Sequence, residues 1–162
     1  PRLSRETSMS QPPPSVVPPG TEFDPSLASR MMTRHGHGGW LGIRYHDHGA
    51  NWVELALPWR EELIGIDGQG VLASGPIISL MDNATSMSVW TLNKKFVPHA
   101  TLDLRVDYMR AAKPGRTVIG RGECYKLTRT ISFIRGIAYD EDPADPVAHV
   151  TGTFMATHGS YL

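Results

Sequence analysis

The chain has 162 residues, 40% of them hydrophobic, with 16 Lys and Arg against 16 Asp and Glu and a single cysteine, Cys124. That length supports one domain with its own core, and the balanced charge removes any global electrostatic case for nucleic acid or an anionic membrane surface as a partner. One cysteine excludes an intrachain disulfide and points to a reducing, cytoplasmic home, no apolar run approaches bilayer length, and prolines stand where a signal peptide would carry its hydrophobic stretch.

Residues 1–20 are rich in Pro and Ser and lack periodicity, which predicts an extended arm ahead of a single domain at 21–162. Asp24 reads as an N-cap and Pro25 as the first position of a short helix reaching Met32, ended by the glycines at 36–39. From Trp40 the period changes to two: Leu41, Ile43 and Tyr45 alternate, residues 49–51 turn, and Trp52–Leu57 makes the second strand of a hairpin. A long helix is predicted to start at Pro76, whose missing N–H is harmless at a first helical position, and to run to about residue 91. Ile77, Leu80, Met81, Ala84 and Met87 form its apolar stripe, with Ser79, Asp82, Asn83 and Ser86 opposite. Four strands follow at 101–110, 117–127, 131–139 and 147–157, with turns at 113–116, 128–130 and 140–146. Two strands, one long helix and a four-stranded meander predict an α+β fold, an antiparallel sheet wrapped around one helix, with Cys124 a small buried hydrophobe in a strand.

Asp82 is the only charged residue between Val71 and Thr91, where an ordinary surface helix would carry Lys, Glu and Arg on its polar face. A lone acid in so apolar a segment suggests a site, although for an arbitrary Asp a solvated place on the wet face is the commoner role. His35, His37, His46 and His48 invite a metal reading, but no third ligand stands at fixed spacing, so no metal is expected. Gly36, Gly38 and Gly39 lack the Lys-Ser/Thr ending of a phosphate loop, and no Gly-x-Ser-x-Gly elbow is present for a serine hydrolase. Arg110, Lys113 and Arg116 concentrate three cations on one turn, either an ordinary solvated loop or an anion contact.

Four segments together resemble the hotdog-fold thioesterases of the phenylacetate-pathway (PaaI-like) type, relatives of the 4-hydroxybenzoyl-CoA thioesterases. They are the loop into the helix at 67–75, the helix segment Leu80-Met81-Asp82-Asn83-Ala84, the strand and turn at 101–115, and the closing strand at 147–154. The resemblance implies an acyl-CoA substrate, aryl or fatty, hydrolysed to free acid and CoA without a cofactor. It also implies a homodimer or homotetramer whose sites lie at subunit interfaces, with the Ser79, Asp82 and Ser86 face of the helix meeting the partner. In its terms Asp82 is nucleophile or general base, the Ser74 backbone N–H polarises the carbonyl, and Thr101 orients. Asp67, Gln69, Gly75 and Ser86 become candidate substrate contacts, and Arg110, Lys113 and Arg116 receive the CoA phosphates. Two departures stand out: Ala73-Ser74-Gly75 where relatives carry His-Gly-Gly, and Asp67 where they carry an amide. An ionised Asp accepts hydrogen bonds where an amide would donate, and Gln69 is the nearest amide in sequence. The alternative is a non-catalytic hotdog protein that binds acyl-CoA or a small hydrophobic ligand; a dehydratase is a minor reading, because Asp82 has no His near it in sequence.

Overall fold

The computed structural model describes residue 18 and residues 20–32, 36–65 and 68–162. The predicted arm, apart from Pro18 and Gly20, lies outside the described residues, as do His35 and Asp67. The helices are α1 (Pro25–Met32), α2 (Gly36–Leu41) and α3 (Ser74–Asn93), with a 3-10 turn at Glu61–Leu63. The strands are β1 (Arg44–His48), β2 (Trp52–Leu57), β3 (His99–Tyr108), β4 (Val118–Leu127), β5 (Ile131–Tyr139) and β6 (Ala148–Ala156). No helix among the described residues is long and apolar enough to cross a membrane.

The strands form one antiparallel sheet in the order β1-β2-β4-β5-β6-β3, with α3 packed across one face. Ile77, Leu80, Met81, Ala84 and Met87 are all buried, as their spacing predicts, and they meet Val53, Leu55, Ile134 and Phe154 in one core cluster. Gly122 on β4 allows the closest approach: a Cβ there would lie 2.5 Å from the backbone of Ala84 and Thr85. Cys124 is fully buried in β4, and burial pushes its thiol up to about 11.

Three expectations need correction. The helix begins at Ser74 and Pro76 occupies its third position; all the N–H groups of a first turn lack intrahelical partners, so Pro costs as little there as at the first place. The glycines at 36–39 do not end α1 but build α2, which carries Trp40 and Leu41. Gly42, at φ +72°, then turns the chain into β1. Leu41 and Ile43 are both buried, one from a helix and one from the segment before the strand, so two points of an alternation fitted either geometry.

The meander comprises only β4, β5 and β6, one strand fewer than the sequence predicts. β3 pairs with β6 and becomes the far edge of the sheet. The 109–117 connection must therefore cross the ends of β6 and β5 to reach β4, and it is fastened where it passes. Arg110 donates to both carboxylate oxygens of Asp140, at 2.9 and 2.6 Å, and to Asp145. The Asp140 side chain is fully covered, and the Arg110 guanidinium holds its carboxyl down at about 2. Such a fork is the strongest pairing a carboxylate makes with a side chain.

Candidate active site

α3 starts abruptly. Ala73 at the N-cap is extended (φ −64°, ψ 156°) and supplies no side-chain cap, which leaves the N–H groups of the first turn and the positive end of the helix dipole uncovered by the residue that normally satisfies them. Ser74 and Gly75 are exposed. Beside them opens a cleft of about 300 Å³ walled by Val71, Leu72, Ile77, Tyr108, Met109 and Val147. Tyr108 OH donates to Ser74 O at 3.0 Å, tying β3 to the first turn of α3. A Cβ on Gly75 would meet nothing within 4 Å. Glycine inside a helix costs about 1 kcal/mol against alanine, and nothing among the described residues requires it here. Gln69 is exposed in the turn leading to the helix.

Farther along the helix, Asp82 is half-buried and Thr101 Oγ1 donates to its Oδ1 at 2.9 Å. Its Oδ2 accepts no hydrogen bond from the described residues, so one oxygen is fixed and the other remains open. Ser86, one turn on, lies 2.7 Å from His99 Nε2, and Ser79, one turn back, lies 3.0 Å from His37 Nε2. Asn83 donates to Ser79 O at 2.7 Å and so turns back into the helix. The helix thus presents a polar strip with one carboxylate at its centre and a hydroxyl on either side.

The cationic turn is matched by the β5–β6 loop. Arg110 is committed to Asp140 and Asp145, while Lys113 and Arg116 share Glu141. Phosphate at this turn would compete with Glu141 for two exposed cations, and Arg110, which also lines the cleft, carries a structural task besides. Of the histidines, His48 Nδ1 lies 2.6 Å from Tyr45 OH, and His37 stacks on Trp40. Among the described residues no group of three His, Cys, Asp or Glu side chains is placed to hold a metal.

Two residues of this region escape a sequence reading. His99 reaches Ser86 across the helix–sheet gap from thirteen residues away, and Tyr108 reaches Ser74 from the far end of the same strand. The period of two held a signal for the first: His99 stands two residues before Thr101 and shares its face, which a strand started at 99 would have placed toward the helix.

A family model described as Thioesterase superfamily matches residues 69–147. Among solved structures, a protein from Pseudomonas aeruginosa is 38% identical, with a TM-score of 0.72 over 80% of this chain and 96% of that one. A thioesterase from Haemophilus influenzae is 17% identical, with a TM-score of 0.71 over 85% and 92% of the two chains. A mutant of the phenylacetic acid degradation protein PaaI from Thermus thermophilus is 24% identical, with a TM-score of 0.62 over 73% and 96%. The last two likenesses are likenesses of fold. No curated protein matches the chain.

Proposed function

This chain belongs to the thioesterase superfamily and has its hotdog fold, and from that premise we propose that it hydrolyses an acyl-CoA thioester to free acid and CoA at sites shared between two copies of the chain. The observation that carries the reading is the Asp82 carboxylate, pinned by Thr101 at Oδ1 and open at Oδ2, on the same helix whose uncapped start faces an apolar cleft. Free N–H groups at a helix start, Ser74 first among them, are where the oxyanion of a tetrahedral intermediate is best stabilised. An open carboxylate oxygen is suited to attack the carbonyl carbon or to take a proton from water.

Distance supports the two-chain arrangement. Ser74 and Asp82 are eight residues apart on α3, roughly 12 Å at 1.5 Å per residue, whereas oxyanion donors must stand about 3 Å from the reacting oxygen. One chain's helix start and its own carboxylate are too far apart to serve one thioester, so the partner's carboxylate is needed. The outer edge of β3 is unpaired among the described residues, next to Thr101, with Leu102 and Tyr108 exposed along it. A long bare edge of that kind is a pairing surface unless covered, and a homodimer, or a tetramer of such dimers, covers it. A cleft of 300 Å³ sits at the small end of ligand sites, roughly 300–1,000 Å³, as a half-site completed by a second subunit would. Its apolar walls suit an aryl or fatty acyl group. Gly75, with open space where a Cβ would stand, allows close approach of the thioester. Gln69, in the exposed turn, and Asp67, two residues earlier in sequence, are assigned to substrate contact, and exposed Lys113 and Arg116 to the phosphates.

Release of free thiol from a panel of aryl- and fatty-acyl-CoA esters tests the activity. Asp82→Asn, which keeps the shape and removes the anion, should lose about hundredfold or more in kcat, the scale of a catalytic acid–base group. Saturable binding of acyl-CoA with no turnover by the wild type would replace this reading with that of a binding protein.

A further inference from the structure

Three hydroxyls of α3 are spent on the helix itself. Thr85, Ser88 and Thr91 each donate to a carbonyl of their own helix three or four residues back, the usual resting place of a hydroxyl inside a helix. Ser86 is engaged instead by His99 Nε2 at 2.7 Å, one turn beyond Asp82. The His99 ring has little freedom: it stacks on Trp90 at 4.6 Å, tilts against Phe154 at 4.8 Å and meets Tyr161 at 6.2 Å. Tyr161 is the only titratable group among those ring neighbours. Burial holds the imidazole down at about 4, so near neutrality it is uncharged and carries one N–H.

The position of that proton matters. Nδ1 is buried without a partner among the described residues, and a proton there would be an orphaned buried donor, the rarer and costlier kind of unsatisfied group. On Nε2 the proton is donated to Ser86 Oγ. The serine then has its oxygen anchored and its own proton free for a second acceptor. We propose that His99 is a positioning residue of the thioesterase site, its Nε2–H holding Ser86 so that the serine hydroxyl donates to the water or thioester oxygen beside Asp82. This rests on the assignment of Asp82 made above. Side chains one helical turn apart have Cβ atoms about 5–6 Å from each other, a gap that one water bridges, giving a proton to Oδ2 and accepting one from Ser86. The same tautomer argues against Ser86 as a nucleophile, because an Nε2 that already carries the proton donated to the serine cannot accept the serine's own.

The test compares wild type with Ser86→Ala, His99→Phe, His99→Gln and the Ser86→Ala/His99→Phe double variant on one acyl-CoA, with Asp82→Asn as control. NMR of the wild-type protein labelled with nitrogen-15 in histidine reads the tautomer directly, independent of turnover and of whether any variant folds. We expect the proton on Nε2, and kcat lowered about tenfold to a hundredfold in both single variants with little change in KM, the scale of a misplaced reacting group. The double variant should fall no further, and His99→Gln, whose amide offers an N–H to Ser86, should recover part of the loss. A loss of packing alone would not give that recovery or that lack of additivity. A proton on Nδ1, additive losses, or wild-type kcat in a folded His99→Phe beside an inactive Asp82→Asn overturns the positioning role alone. Full turnover by Asp82→Asn overturns the catalytic reading on which it stands.

Discussion

Acidification from neutral pH to about pH 4 should strip stability from this protein through His99. Its imidazole is held at about 4 by burial against an ordinary 6.5, so the unfolded chain accepts a proton that the folded chain refuses. The contribution is complete above pH 6.5 and is lost as pH falls toward 4. At about 1.4 kcal/mol per pH unit of difference, the loss is about 3 kcal/mol, a large part of the roughly 5–15 kcal/mol that holds a domain folded. For a chain of this size that corresponds to a fall in Tm of roughly 6–12 °C. Asp140, held down at about 2 chiefly by its hydrogen bonds from Arg110, contributes stability that is lost only below its ordinary 3.8, so its window opens where that of His99 closes. Urea or thermal unfolding at fixed protein concentration, across this pH range, should show the loss in wild type and a much flatter profile in His99→Phe. Equal slopes in the two proteins would refute burial of a neutral His99 as the cause.

Gly122→Ala would drive a methyl group to 2.5 Å from the Ala84 and Thr85 backbone of the buried helix; since backbone cannot step aside as a side chain can, we expect a loss of about 1–3 kcal/mol or more in denaturant unfolding. Charge reversal at Lys113 and Arg116 should raise KM for CoA esters, more at low salt than at high, because exposed attraction is screened. It should leave hydrolysis of a short thioester lacking the nucleotide nearly unchanged, and equal losses on both substrates would count against phosphate contact at this turn.

The central helix and the meander strands were legible because each follows a single local period: the stripe from Ile77 to Met87 at three and four residues, and the alternation along β5 at two. What escaped was set by distant partners. No local pattern says that β3 pairs with β6 in place of β4, since that follows from a crossover latched by Arg110 on Asp140, thirty residues away. Trp40 and Leu41 fitted a strand because so few alternating positions cannot tell a strand from the end of a six-residue helix. In the candidate site, Asp82 stood out by its isolation among apolar neighbours, whereas Thr101 came through the family resemblance, and the structure sets the two in hydrogen-bond contact. The contact of His99 escaped for the same reason as the β3 register, since its partner Ser86 lies on another element, and only its shared face with Thr101 could have hinted at it.

The shared site can be tested by complementation between chains. Ser74→Pro removes the backbone N–H assigned to the oxyanion, yet proline is tolerated at a first helical position and the extended Ala73 before it already has the conformation that proline demands. Ser74→Pro and Asp82→Asn homodimers should each be inactive. In a dimer of one with the other, one site combines the intact Ser74 of the Asp82→Asn chain with the intact Asp82 of the Ser74→Pro chain, while the other site carries both replacements. Random mixing should therefore restore roughly a quarter of wild-type acyl-CoA hydrolysis. Mixed dimers as inactive as their parents would contradict a site built from two chains.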